Sequence, residues 1–152
     1  MNGHTTPSAD PVTATAHARR LIKLTEQLTS RLEGETVAFA ERRPQDVVTG
    51  LAQTQELANQ YRRESAQLKA APAVMASAPT TERMALIKAT EKFEAVLSRH
   101  ARAVEAARVI SEGLVQAIAG EVAAARAMGS GYGASGRATA GDGTAITLNR
   151  NA

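Results

Sequence analysis

The residues best suited to metal or acid–base chemistry are three histidines, and their spacing argues against a shared site. His4, His17 and His100 are far apart in the chain. No pair of histidines follows the His-x₃-His or His-Glu-x₂-His spacing that binds zinc on one side of a helix, and there is no cysteine to supply a thiolate. The sequence therefore predicts no metal site and implies no cofactor.

Glu35 and His100 form a candidate acid–base pair, because each interrupts an otherwise apolar helical stripe. Helix lengths place the two residues at a similar level of a helical bundle. A carboxylate beside an imidazole can serve general acid–base catalysis. The same pair can instead be a polar contact that sets the register of the helices. Without a cleft or a third catalytic group, the sequence favours the structural contact, and we expect no enzyme.

A glycine-rich segment, Gly129-Ser130-Gly131-Tyr132-Gly133, resembles a phosphate-binding loop in composition. Phosphate-binding loops lie between a strand and a helix. This segment follows a predicted helix and precedes no predicted element. A flexible linker is the better interpretation.

Composition limits the class of protein. Of 152 residues only 3% are aromatic, and 18 basic against 15 acidic residues give a net charge of +3 with interspersed signs. No basic run or alternation of basic and aromatic residues indicates nucleic-acid binding. The sequence shows neither a signal peptide, which would indicate export, nor an apolar run of about 18 residues, which would indicate membrane insertion. We expect a cytoplasmic all-α protein with a thin helical core.

Apolar residues recur at steps of three, four and seven, which is typical of amphipathic helices. Proline-containing segments at Arg43-Pro44 and at 71–80 separate the helices, and Val74 and Met75 predict one helical turn within the second segment. The resulting prediction is a three-helix antiparallel coiled-coil-like bundle with a disordered N-terminus at 1–12, helices at about 13–42, 45–70 and 81–127, and a flexible glycine-rich tail at 128–152.

Each predicted helix has an apolar stripe that should face the bundle core. The stripe of the first helix contains Ala14, Ala18, Leu21, Leu24, Leu28, Leu32 and Phe39. The second contains Val47, Leu51, Thr54, Ala58, Tyr61, Ser65 and Leu68. The third contains Leu86, Phe93, Val96, Leu97 and Val104 and continues beyond them.

Helix lengths predict that the third helix extends past its partners. The first two helices should be antiparallel, and the third should run parallel to the first, whose end then lies level with about 105–107. The stripe beyond this level has no partner in the chain, so we predict that it binds another protein. Its residues are Ile110, Leu114, Val115, Ile118 and Val122. A homodimer through the same stripe, or a bent connector that removes the overhang, are the alternatives.

The pattern of the first two helices resembles flagellar export chaperones of the FlgN type. The similar residues are Leu28, Leu32, Glu35 and Phe39, the break at Arg42 to Asp46, and Leu51, Leu57 and Tyr61. The segment from Tyr132 to Arg137 is similar to a Tyr-Gly-x-x-Gly element near the end of some members, and 112–118 with Leu148-Asn149-Arg150 looks like the alphaproteobacterial branch. A lysine usual in the second helix of that family is Gln53 or Gln55 here.

This resemblance implies a cytoplasmic type III export chaperone. Such a protein would bind hook-associated proteins of the hook–filament junction through the end of its last helix, and would deliver them to the export apparatus. Two other classes stay open from the sequence. One is a secreted helical structural subunit of the flagellum, and the other is a generic coiled-coil adaptor or regulator.

Overall fold

The computed structural model describes the backbone of residues 10–149 and the side chains of residues 10–130. Within this part of the chain there are α-helices and no strand, so the all-α prediction is confirmed. The helices are α1 (Pro11–Ala40), α2 (Pro44–Ala70), α3 (Pro72–Ala76) and α4 (Thr80–Asn149). The chain divides into two compact units between Ala107 and Arg108, and the first unit is a helical bundle.

The N-terminus of α1 lies two residues before the predicted start at 13. The Asp10 carboxylate accepts a hydrogen bond from the Val12 amide at 3.2 Å, and Pro11 occupies the first helical turn. An N-cap aspartate satisfies a free amide, and proline suits the first turn because it has no amide hydrogen to leave unpaired. Residues 11–12 are therefore helical instead of disordered. The rest of the predicted disordered segment, 1–9, lies outside the described residues.

The connection between α1 and α2 is tight, as predicted, but α1 ends at Ala40 instead of 42. Arg42 has a φ of 59°, in the left-handed region that often follows a helix C-terminus. The Arg43 amide then donates to the Ala38 carbonyl at 2.8 Å. Pro44 starts α2, because its fixed φ is compatible with the first helical turn.

Polar contacts between α1 and α2 confirm that these helices are antiparallel. Arg20, in the first half of α1, pairs with Glu64 near the end of α2 at 3.3 Å. Arg31, later in α1, donates to the Gly50 carbonyl near the start of α2 at 2.6 Å. Residue numbers thus rise in one helix as they fall in the other.

The corresponding contacts between α1 and α4 confirm the predicted parallel arrangement. Arg19 pairs with Glu82 at 2.8 Å, and Glu35 contacts His100 at 2.8 Å. Residue numbers rise together along both helices. The topology of the bundle therefore follows from the tight turn and the connector, as the helix lengths predicted.

The bundle core is a cluster of Leu28, Leu32, Phe93 and Val96, with Leu57, Ala58 and Tyr61 packed against it. These side chains come from the predicted stripes and from their neighbours. The rings of Tyr61 and Phe93 lie 5.2 Å apart between centroids, a favourable aromatic contact. The predicted stripe of α1 is buried from Ala14 to Leu32, while Phe39 is half-buried.

Three stripe residues are more exposed than the sequence predicts. Leu51, Leu97 and Val104 are 43%, 44% and 40% exposed. Neighbouring residues of a helix lie about 100° apart around its axis. Because Val96 faces the core and is 1% exposed, Leu97 is turned toward the edge of the bundle. The apolar stripe inferred from the sequence is thus wider than the part of the helix surface that is buried.

The connector contains the predicted helical turn, which is α3. Val74 and Met75 are half-buried, and Ala78 after the turn is 4% exposed. The prediction of a third long helix is correct, but it is fourth in chain order.

The C-terminus of α4 differs from the prediction. The helix was expected to end at Ala127, before the glycines, but it continues to Asn149. Glycine lowers helix propensity by about 1 kcal/mol relative to alanine without preventing a helix. No proline follows Pro79, so no residue here blocks the helical hydrogen bonds. The predicted flexibility of residues 128–149 remains a prediction, and 150–152 lie outside the described residues.

Leu28 should matter far more to the bundle than Leu51. We expect Leu28→Ala to lower the free energy of unfolding by about 2–5 kcal/mol, because it leaves a cavity beside Val96. Leu51→Ala removes the same atoms from a half-exposed site and should cost less than about 1 kcal/mol. Urea unfolding followed by circular dichroism measures both. Equal losses in the two variants would contradict the assignment of the core.

Candidate partner-binding surface

The residues predicted to bind a partner lie on α4 and are all exposed. We call them the α4 apolar face. Its exposed fractions are 64% for Ile110, 60% for Leu114, 65% for Val115, 51% for Ile118 and 44% for Val122. Large aliphatic side chains are usually at least partly covered in a folded monomer, and neighbouring exposed ones often mark an interaction site. The face is therefore available to a partner, and binding itself stays a prediction.

Exposure along this part of α4 is continuous. Every residue from 108 to 130 is exposed, and Ala107 is the last half-buried residue among those whose side chains the structure describes. The predicted level of about 105–107, at which the stripe loses its partners, agrees with this change. The second unit thus gains little stability from burial of its apolar side chains within the described chain.

Polar side chains on this part of α4 include an ion pair one turn apart. Arg108 donates to Glu112 at 2.5 Å, and both side chains are more than half exposed. An exposed pair at this spacing supports the helix by a few tenths of a kcal/mol. Glu112 lies on another side of the helix from Leu114, because positions two residues apart are separated by about 200° around the helix axis.

The second feature of interest is the polar cluster around Glu35, which is 8% exposed. Its Oε2 contacts His100 Nε2 at 2.8 Å, so the pair predicted from the sequence is present. Its Oε1 accepts a hydrogen bond from Thr54 Oγ1 at 2.6 Å. Glu35 therefore connects α1 to both α2 and α4. The rings of Phe39 and His100 make an edge-to-face contact, with 6.3 Å between their centroids.

Arg31 extends the cluster along α2. Its Nε donates to Thr54 Oγ1 at 3.3 Å, and its Nη2 donates to the Gly50 carbonyl at 2.6 Å. A Cβ atom at Gly50 would lie 2.3 Å from Arg31 Nη2. Glycine at this position therefore makes room for the guanidinium group.

The sequence predicted the contact between Glu35 and His100 but not the residues from α2. Thr54, between Gln53 and Gln55, is the α2 residue that donates a hydrogen bond to Glu35. The sequence pointed to Thr54 only because it is a polar residue in the apolar stripe of α2. The pattern does not show which of several neighbouring polar side chains is directed at Glu35.

The cluster has the form of a structural contact. A histidine beside a carboxylate can move a proton, but catalysis also needs a reacting group within hydrogen-bond reach. Among the described residues the structure records Glu35 and Phe39 as the partners of His100. His17 contacts Glu64 at 3.9 Å, on another part of the bundle, and His4 lies outside the described residues.

The described residues contain no group of three or more histidine, cysteine, aspartate or glutamate side chains arranged to hold a metal ion. Nor do they include a helix that is both long and apolar enough to cross a membrane.

Comparison with known proteins identifies a relative that is named as a flagellar protein. The chain is 45% identical over 144 residues to the flagellar basal-body protein FlbY of Caulobacter vibrioides. The similarity covers 93% of this chain and 97% of that protein, so it includes both the bundle and α4. No protein-family profile matches the chain. No solved structure matches it.

The buried pair should couple more strongly than an exposed pair joining the same helices. In a double-mutant cycle, Glu35→Ala and His100→Ala should show a coupling free energy of about 0.5–3 kcal/mol, because both groups lie in a shielded network. Glu33 and Lys92 also join α1 to α4, at 3.7 Å, but are 43% and 66% exposed. Their cycle should give less than about 1 kcal/mol. Urea unfolding measures both, and a larger value for the exposed pair would contradict this view of the cluster.

The α4 apolar face should be dispensable for folding. We expect Leu114→Ser with Ile118→Ser to change the urea midpoint very little, because neither side chain is buried. The matched change in the core, Leu28→Ser with Val96→Ser, should unfold the protein, since it places two hydroxyl groups in the buried cluster. Comparable destabilisation by the two double variants would mean that the face supports the fold.

Proposed function

The chain belongs to the family of the flagellar basal-body protein FlbY, and we propose that it is a flagellar type III export chaperone. Its clients are hook-associated proteins of the hook–filament junction, which it binds before secretion and presents to the export apparatus. Membership of the family supports a flagellum-associated role. The finer assignment, to chaperones of the FlgN type, is part of the proposal and rests on the resemblance of the first two helices and of the α4 segment.

The observation that carries the proposal is the exposed α4 apolar face. An export chaperone must cover apolar segments of a client that would otherwise aggregate, and this requires an apolar surface that its own fold leaves free. Burial of Ile110, Leu114 and Ile118 against a client would contribute on the order of 4–8 kcal/mol before entropic losses. This is enough to account for most of a micromolar complex.

The proposed mechanism is binding without catalysis. The client segment folds as an amphipathic helix against the α4 apolar face, and α1 and α2 keep the first part of α4 helical. No nucleotide, metal or nucleic acid takes part, and the protein acts in the cytoplasm. The His100–Glu35 contact holds the bundle in register and does not touch the client.

The name of the relative supports a second candidate, a structural subunit of the flagellum. FlbY is described as a basal-body protein. A structural subunit would use the same apolar face to join neighbouring subunits permanently. The two functions differ in location, because a chaperone releases its client and stays in the cell, whereas a subunit remains in the assembled flagellum.

The chaperone proposal predicts which surface captures clients. Purified full-length protein should bind purified hook-associated proteins with a micromolar or tighter Kd in calorimetry. Leu114→Ser with Ile118→Ser should weaken binding by at least about 100-fold, because two apolar anchors are lost. Met84→Ser with Ile87→Ser is the matched control, since these α4 residues are 59% and 51% exposed but lie in the first unit. The control variant should bind as the unaltered protein does.

Location within the cell separates the two candidates. Purified hook–basal bodies from flagellated cells should lack the protein, which should stay in the cytoplasmic fraction. A fixed amount of the protein in washed hook–basal bodies, together with no binding of hook-associated proteins, would contradict the chaperone and favour the subunit.

A further inference from the structure

An acidic residue, Glu121, lies on the same side of α4 as Ile110, Leu114 and Ile118 of the α4 apolar face. It follows Leu114 by seven residues and Ile118 by three, and side chains at these spacings lie on one side of an α-helix. Glu121 is exposed, as are its apolar neighbours. A helix that covered the α4 apolar face would therefore cover Glu121 as well.

Within the part of the chain that the structure describes, Glu121 has no hydrogen bond or ion pair. Between residues 108 and 130 the basic residues are Arg108 and Arg126. Arg108 is paired with Glu112, which lies one helical turn after Arg108. Arg126 follows Glu121 by five residues, which places it about 140° away around the helix. The carboxylate is satisfied by water as long as the face is uncovered.

Covering Glu121 with an apolar partner would be unfavourable. A carboxylate that loses its water without gaining a partner costs several kcal/mol in a protein interior, so it requires a cation or several hydrogen-bond donors. Arginine satisfies a carboxylate best, because its planar guanidinium donates two parallel hydrogen bonds. The position of Glu121 thus specifies a charge on whatever covers the face.

The neighbouring side of α4 favours a helix as the occupant. Gly113, Ala117, Gly120 and Ala124 follow one another at helical spacing beside the large apolar residues. A Cβ atom at Gly113 or Gly120 would meet nothing within 4 Å among the described residues, so no contact recorded there requires glycine. A ridge of large residues beside a row of small ones is the surface into which the ridges of a second helix pack.

We propose that the α4 apolar face selects a client helix that carries a basic residue, preferably arginine, in the middle of its apolar stripe. That residue pairs with Glu121 when the helix docks. The inference rests on the proposed function, in which a client helix occupies this face. It adds the chemistry by which one amphipathic helix is distinguished from another.

Two synthetic helical peptides test this selection. Both have the same stripe of leucine and alanine, and they differ at one central stripe position, which is arginine in one peptide and glutamate in the other. We expect the full-length protein to bind the arginine peptide at least about tenfold more tightly in fluorescence anisotropy, because like charges are strongly disfavoured across an interface. The net charge of +3 acts against this preference, since it attracts the acidic peptide.

Reversal of the charge provides the internal control. Glu121→Arg should reverse the preference of the protein for the two peptides. Glu112→Arg makes the same change of charge on the opposite side of the helix, nine residues or about 180° from Glu121, and should leave the preference unchanged. Binding of neither peptide, equal binding of both, or the same preference in Glu121→Arg would each overturn the inference.

A second copy of the chain is the competing occupant. Sedimentation equilibrium should show a monomer at micromolar concentration. A dimer that Leu114→Ser with Ile118→Ser dissociates would assign the face to self-association and overturn the inference. If peptide selection fails while hook-associated proteins still bind through the face, the inference fails and the proposed function stands. If peptide selection holds but these proteins do not bind, the proposed clients are wrong.

Discussion

The packing of Phe93 and Val96 against Leu28 and Leu32 determines which side of α4 is buried in the bundle. An α-helix has a constant pitch, so residues about 18 apart, or five turns, share a side. Leu114 stands in this relation to Val96. The apolar pattern that packs the core in the first unit thus continues along α4 into residues that nothing in the described chain buries.

Apolar packing alone would allow the helices to slide by a turn, because leucine and alanine stripes fit one another in several registers. The Glu35 carboxylate limits this freedom. Its two oxygens meet His100 and Thr54 at 2.8 and 2.6 Å, and a shift of one turn in either helix would leave the buried charge without partners. The polar cluster therefore fixes the position of the helices along one another. As a result, the covered part of α4 ends near Ala107.

Local rules predict much of this molecule from its sequence. Pro44 marks the start of α2 within one residue, and the regular spacing of apolar residues from Ala14 to Leu32 predicts which side chains of α1 are in the core. Two other features could not be predicted in this way: which neighbouring apolar side chain faces the core, and how far α4 continues through its glycines. Leu97 and Val96 are equally apolar, and only the direction of packing exposes one of them. Residues 130–149 are helical despite their glycines, because the helix penalty of each glycine is small. The exposed α4 apolar face was predictable because it follows from helix lengths.

Hydrogen–deuterium exchange of the full-length protein, alone and with a purified hook-associated protein, tests the central claim most directly. If the α4 apolar face binds the client, amide exchange should slow in peptides that contain residues 110–122. Exchange in α1 and α2 should stay the same, because the bundle is already formed. Slower exchange confined to α1 and α2, or no change in α4 at saturating client, would contradict the account.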